Sequence, residues 1–321
     1  MMVHFTGLRW KGLTMNRAEY IAVVKRLRGM VIVHPNYEKV MKELISSFEL
    51  HRETGIAQNL LCTGPSGSGK TTLIHQLKKK YGSIEDDEYQ SPIIVVNTPP
   101  QPNIKNFAEA FLAALEDPFT KSGNTIQKTN RITEVMKMKQ TQMLIVDELQ
   151  HFVEHGRGIT LRGVSDWLKS VIDTAQVSTV LMGLDKAEEV LKANEQIRRR
   201  FSQTLRLEPF TIDSKAEAKK FASVIRILDE QIGLPEKIKL GDESIVRFYY
   251  ATNGLIDYLV KLMVGASELL YSQNRERIDN NVLAGAFQKY IWRDCKDSQN
   301  PFHKGFIEQR LDKQNMPFFV G

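Results

Sequence analysis

Cysteine and long apolar runs are what this chain has least of. Cys62 and Cys295 are its two cysteines, too few for a disulfide framework and suited to a reducing compartment. No stretch approaches the roughly 18 consecutive apolar residues of a membrane span. Residues 1–17 lack the apolar centre of a secretory signal, so the expected location is the cytoplasm, with no membrane partner. Residues 1–14 carry little periodic pattern, which makes Met15 a candidate natural start. There are no internal repeats and no low-complexity segment. His34, His151 and His155 have no metal-ligand spacing with the cysteines, and no zinc site is expected.

What remains describes an ordinary soluble protein. Hydrophobic residues make up 42% and charged ones 26% of 321 residues, enough to bury a core in one large domain or two modest ones. The net charge of +6 is compatible with nucleic-acid contact without requiring it.

The most informative segment is Gly64-Pro65-Ser66-Gly67-Ser68-Gly69-Lys70-Thr71-Thr72, which follows the apolar run 59–62 and precedes the apolar-periodic 73–77. This is a phosphate-binding loop in the strand-to-helix context that it needs. The glycines free backbone amides to turn toward a polyphosphate, and the helix N-terminus adds the positive end of its dipole. Lys70 is expected to reach the β and γ phosphates of ATP, and Thr71 to offer its hydroxyl to Mg²⁺.

The rest of the chain supplies a frame for that loop. Apolar runs at Leu60–Cys62, Ile93–Val96, Met143–Val146, Val177–Met182 and Thr204–Leu207 read as strands. Between them, Phe107, Ala110, Phe111, Ala114 and Leu115 share one helical face, as do Val164, Trp167, Leu168, Val171, Ile172 and Ala175. That alternation predicts an α/β fold with a parallel five-stranded sheet flanked by helices. Two helices are expected ahead of it, over 17–28 and from Pro35 to about Arg52. After Pro209 the strand signal stops. Ser214-Lys-Ala-Glu217 is a capping box opening a helix to about Gln231, and Ile256, Leu259, Met263, Ala266 and Leu270 mark another. The expected organisation is an N-terminal helical region (1–54), a nucleotide-binding α/β domain (55–210), an all-helical lid (211–295) and an aperiodic, extended tail (296–321).

Met143 to Val146 is an apolar strand ending in Asp147 and Glu148. Mg²⁺ takes hard oxygen ligands and keeps its waters, which suits Asp147. Glu148 then stands where it can orient and deprotonate an attacking water. Next, Ile197-Arg198-Arg199-Arg200-Phe201 precedes the last strand. A phosphoryl-transfer ATPase needs positive charge near the γ phosphate, often an arginine from a neighbouring subunit. Arg199 and Arg200 are the favoured candidates, Arg198 less so, and that role requires a homo-oligomer. The plain alternative is a basic helix end favourable to the helix dipole.

Together these elements resemble the AAA+ P-loop ATPases, and more narrowly the TniB/TnsC transposition regulators. The narrower resemblance rests on 33–37 before the helix leading to the loop, on Asn97-Thr-Pro-Pro-Gln-Pro102, on Val146-Asp-Glu-Leu-Gln-His151 and on 196–201. The tail with Asn300-Pro-Phe302 looks more like TnsC of CRISPR-associated transposons. The resemblance implies an ATPase that assembles into rings or filaments on duplex DNA, bridging a target-selection protein and a transposase. Two positions depart from the general pattern. Leu181-Met-Gly-Leu-Asp185 has no polar residue before Asp185 where a sensor often stands after the fourth strand. Gly254-Leu-Ile-Asp257 offers an aspartate where the lid often carries an arginine. Both imply slow hydrolysis.

For DNA, Lys105 heads the helix after the proline-rich turn, and Lys121, Asn124, Thr125, Lys128 and Arg131 populate a polar insertion. In the family the equivalent regions face the bore of the ring, and such side chains would neutralise phosphates without reading bases; a solvated basic face is the competing reading. Alternatives for the whole chain are a helicase loader or replication initiator, a small-molecule kinase, and a DNA scaffold that never hydrolyses ATP. The arginines and helical lid argue against the kinase, and Glu148 argues against the scaffold.

Overall fold

A computed structural model describes residues 14–82, 90–155 and 158–319, with the side chains of 155 and 158–160 excepted. The expected start-site segment up to residue 13 and the His155 side chain lie outside it.

In chain order the first helix is α1 (Arg17–Gly29), opened by an Asn16–Glu19 capping box. Then come α2 (Pro35–Thr54), β1 (Leu60–Thr63), α3 (Lys70–Tyr81), β2 (Ile93–Asn97), α4 (Ile104–Ala114), α5 (Thr125–Met138) and β3 (Met143–Asp147). They are followed by α6 (His151–His155), α7 (Gly158–Ala175), β4 (Ser178–Gly183), α8 (Glu188–Lys192), α9 (Glu195–Arg200) and β5 (Gln203–Arg206). Four longer helices close the series: α10 (Lys215–Ile232), α11 (Asp242–Thr252), α12 (Ile256–Ser272) and α13 (Asn280–Tyr290). The five apolar runs expected as strands all form strands, displaced by a residue at some ends.

The chain divides into two compact units, one spanning Val33–Glu208 and the other joining the segment up to Ile32 with Pro209 onward. The expected N-terminal region 1–54 is therefore split. Val23 and Leu27 of α1 join the helical core of the second unit, whereas α2 contacts α3 and β4. Pro35 sits in the first turn of α2, where its missing amide costs nothing.

In the first unit all pairings are parallel, in the order β2-β3-β4-β1-β5. Alternate strand residues face opposite ways. Leu61, Val96, Leu144, Val146 and Leu181 pack with Phe107, Phe111, Ile132, Met136 and Trp167 from α4, α5 and α7. The complementary set, Leu60, Cys62, Ile145 and Val180, is equally dry, and α2 and α3 cover it with contacts to β4 and β2. A sheet covered on both faces leaves only its edges for chemistry, and in parallel α/β sheets the ligand crevice lies at the carboxyl ends of the strands.

The second unit is all helical. Phe221, Ile225 and Leu228 of α10, Phe248 of α11, Leu259, Met263 and Leu270 of α12 and Phe287 of α13 form its core. Ser214 caps α10 by accepting from the Glu217 amide. The tail, expected to be extended, instead contributes Phe302, Leu311 and Phe318 to that core. Asn300 anchors it by donating to the Ala284 carbonyl at 2.9 Å.

Candidate functional site

β1 runs directly into the loop, and α3 begins at Lys70. Gly67 (φ +79°) and Gly69 (φ +103°) occupy left-handed backbone, which side chains disfavour. At Gly64 the limit is space, since a Cβ there would lie 2.7 Å from the Leu207 carbonyl oxygen. The loop thus forms a concave run of backbone ahead of a helix N-terminus, the arrangement that binds phosphate. The Ser68 hydroxyl is buried there without a hydrogen-bond partner, which fits a cradle awaiting a polar ligand. Lys70 is buried and donates to the carbonyls of Gly64 (2.7 Å) and Pro65 (3.0 Å). Burial lowers its pKa, opposed by the charges of Asp147, Glu148 and Asp185. The Cys62 thiol beneath the loop is pushed up to about 12 by burial, so it serves as a small core residue.

Asp147 and Glu148 reach the same edge because β3 is parallel to β1 through β4. Asp147 is 5% exposed, and burial raises its pKa against the pull of the Glu148 amide, which it accepts at 2.8 Å. The Glu148 carboxylate pushes it further up, and the Lys70 ammonium opposes. Its backbone carbonyl accepts from both the amide and the hydroxyl of Thr98, each at 2.9 Å. Glu148 sits at φ +57°, left-handed for a residue with a side chain. Thr71 follows Lys70 in the first turn of α3. Its hydroxyl and the Asp147 carboxylate are hard oxygen donors of the kind that Mg²⁺ takes. Ser66 and Thr72 complete the loop segment.

The arginines lie at the other edge. Gln203, which opens β5 just after α9, pairs with Leu60, whereas Arg206 pairs with Thr63 beside the loop. Three strand steps, about 10 Å, thus separate Gln203 from the level of the phosphate loop, and α9 ends before Gln203. Arg199 pairs with Glu195 at 2.6 Å. Arg200 lies 2.8 Å from Asp173 in an ion pair without hydrogen-bond geometry. Arg198 is exposed and makes no ion pair among the described residues. An open cleft of about 500 Å³ at that edge is lined by Gly55, Asn59, Asp173 and Arg200.

The DNA candidates separate. Lys105 and Lys121 are exposed, and both act on the Glu109 carboxylate as cations. Asn124 is the N-cap of α5, exchanging hydrogen bonds with Gln127 in a capping box. Thr125, half-buried, accepts through its carbonyl from the Thr129 hydroxyl. Arg131 pairs with Asp117 at 2.5 Å and lies over the Phe119 ring. Lys128 is corrected outright. It is 1% exposed, bound to Glu109 at 3.0 Å and to the Thr120 carbonyl at 2.5 Å, so its charge is spent inside the fold. The polar insertion is in fact mostly helix α5, whose buried face takes Lys128 with Ile132 and Met136. Ile132, Val135 and Met136 follow Lys128 at helical spacing, but Arg131 shares that spacing, so the sequence does not tell the two basic residues apart.

A residue the sequence gave no reason to single out chemically is Gln150. It is 4% exposed; its amide nitrogen donates to the Glu148 carboxylate, and its oxygen accepts from the Leu184 amide at 3.1 Å.

With this geometry in view, comparison with known proteins is informative. A family described as "Bacterial TniB protein" matches residues 22–211. The chain belongs to the TniB family. Among solved structures it is similar to the ORC2 protein of Aeropyrum pernix in its ADPNP–ADP complexes (TM-score 0.62, 13% identity, covering 89% of this chain and 74% of that one). It is also similar to the ORC1 protein of Aeropyrum pernix in complex with DNA (0.60, 15%, 88% and 71%), and to Cdc6p of Pyrobaculum aerophilum (0.60, 13%, 89% and 74%). Comparison with curated protein sequences gives no match. The fold is therefore AAA+, with a parallel five-stranded sheet and a helical C-terminal region, in a TniB-family chain. Among the described residues no helix is long and apolar enough to cross a membrane.

Proposed function

We propose that this TniB-family chain is an ATP-dependent DNA-binding regulator of transposition, similar in kind to TnsC of CRISPR-associated transposons. It assembles on duplex DNA, links a target-selection protein to the transposase, and releases when ATP is hydrolysed. The observation that carries this reading is the convergence of the phosphate loop, buried Lys70, Asp147 and Glu148 at one edge of the sheet, in a chain whose family is TniB.

In this reading Gly64 to Thr72 bind the triphosphate, with Lys70 on its β and γ phosphates. Thr71 and Asp147 would hold a Mg²⁺ ion, which would neutralise the charge that develops on the phosphates. Glu148 takes a proton from a water whose oxygen bonds the γ phosphorus as the bond to the β–γ bridging oxygen breaks, leaving ADP and phosphate. The arginines at 198–200 precede the end of β5 that lies away from the loop, which favours action on a neighbour's nucleotide. Lys105 and Lys121 are the side chains best exposed to meet a DNA backbone. The Asp257 and Leu181–Leu184 departures favour slow turnover, below the ~10 s⁻¹ enzyme median.

A replication-initiator or helicase-loader role is the second reading, favoured by the likeness to ORC and Cdc6 structures. Electron microscopy with duplex DNA and a slowly hydrolysed ATP analogue tests the proposal. Rings or filaments that bind transposase are expected; a DNA-free monomer contradicts both readings, and assemblies that capture a replicative helicase instead favour the second.

A further inference from the structure

The fourth strand ends in Leu181-Met182-Gly183 and Leu184 follows it, with no polar side chain among the four at the level of the site. The structure supplies one from the neighbouring turn. Gln150 spans from the Glu148 carboxylate to the Leu184 amide, so the end of β4 is tied to the candidate base through a single carboxamide. The Leu184 N–H can only donate, so it takes the amide oxygen and leaves the NH₂ group for Glu148. That fixes the donor, where an unconstrained carboxamide would be ambiguous.

The surroundings hold this arrangement in place. A Cβ at Gly183 would lie 2.7 Å from the Gln150 oxygen and 2.9 Å from the Ala187 methyl, so glycine there makes room for the carboxamide. The Leu149 amide donates to the Met182 carbonyl at 3.0 Å, and the His151 ring contacts the Thr98 carbonyl at 3.1 Å. The turn is thus fastened to β4 on one side and to β2 on the other. Glu148 itself has left-handed backbone, a conformation that costs energy and persists only where the surroundings impose it.

We propose that Gln150 is a positioning residue for Glu148, taking the place of the polar side chain that the fourth strand lacks. This rests on the reading that Glu148 deprotonates the attacking water. A donor on one carboxylate oxygen fixes the orientation of the side chain and leaves the other oxygen for the water.

The test is steady-state ATP hydrolysis by the full chain on duplex DNA, with nucleotide affinity measured separately. Gln150→Met keeps the length and loses the donor. Its kcat is expected to fall about tenfold or more while ATP affinity moves less than about threefold, the pattern of a contact that matters in the transition state. Gln150→Glu keeps the shape and sets a second carboxylate against Glu148, so its kcat should fall at least as far, again with ATP affinity nearly unchanged. A group that merely fills space would leave kcat intact in Gln150→Met, which preserves its length.

Unchanged kcat in both variants, or a rise in kcat, overturns the proposal. Glu148→Gln keeps the two readings separable. If Glu148→Gln hydrolyses ATP as the wild type does, the role of Glu148 fails. If Glu148→Gln is inactive and both Gln150 variants match the wild type, only the role of Gln150 fails.

Discussion

Asp147 in the α/β unit and Asp229 in the helical unit begin from the same physics. Both are almost out of water, at 5% and 3% exposure. Burial raises the pKa of each, and each accepts one backbone amide, from Glu148 at 2.8 Å and from Ile238 at 2.9 Å. Their company differs. Asp147 ends a strand beside a buried lysine, a second carboxylate and a glycine-rich loop. Asp229 lies in α10 with only the charges of Lys237 and Glu230 near it, and it fixes the turn that follows its helix. A perturbed carboxylate therefore does not mark a site by itself. It marks one when the groups around it are those a reaction needs.

Substitution should break this resemblance. Asp147→Asn and Glu148→Gln are expected to lower ATP turnover by about 10²–10⁴-fold, the range of acid–base and metal-positioning effects, in a phosphate-release assay with unchanged far-ultraviolet circular dichroism. Lys70→Ala should weaken ATP binding about 100-fold, near the ~3 kcal/mol upper range for hydrogen bonds to charged groups, as read by titration with a fluorescent analogue.

Asp229→Asn should leave both measurements alone and act on stability. Because the folded-state pKa is raised, the wild type loses stability as pH climbs from the ordinary value near 4 through the raised one. The variant should thus gain about 1 kcal/mol at neutral pH, with the gain vanishing below about pH 4 in thermal melts. Loss of ATPase activity in Asp229→Asn would contradict the contrast.

The same contrast runs through the basic residues. Lys128→Met should cost about 1–3 kcal/mol of stability, since it strips the partner from a partly buried carboxylate, while leaving the salt dependence of DNA binding unchanged. Lys105→Ala or Lys121→Ala should do the reverse, each lowering the slope of log affinity against log salt by about 0.9. A salt slope that changes with Lys128 and not with the other two would mean that α5 opens on DNA.

What the sequence disclosed follows the same division. The loop, the Asp-Glu strand end and the strand order's raw material were legible because each is a residue type at fixed spacing within a periodic element. The backbone then has little freedom to move them. Charges in an aperiodic-looking stretch were not legible in that way. Lys128 and Arg131 look alike in the chain, and only the packing of α5 on α4 and α7 sends one into the interior. Gln150 was hidden for another reason. Its two partners, at 148 and 184, meet only once β3 and β4 are paired. The tail was read as extended because Phe302, Leu311 and Phe318 share no helical or strand period, yet each finds a place in the helical core.

The claim on which the account turns is that the ATP site is completed by a second copy of the chain. Mixing two inactive proteins on duplex DNA tests it most directly. One is Glu148→Gln, with intact arginines; the other has Arg198, Arg199 and Arg200 all replaced by alanine, with an intact base. The account predicts that the mixture hydrolyses ATP, with a maximum near equal proportions, because an intact base then faces intact arginines across an interface. A mixture as inactive as its two parents, under conditions where both assemble on DNA, would contradict it.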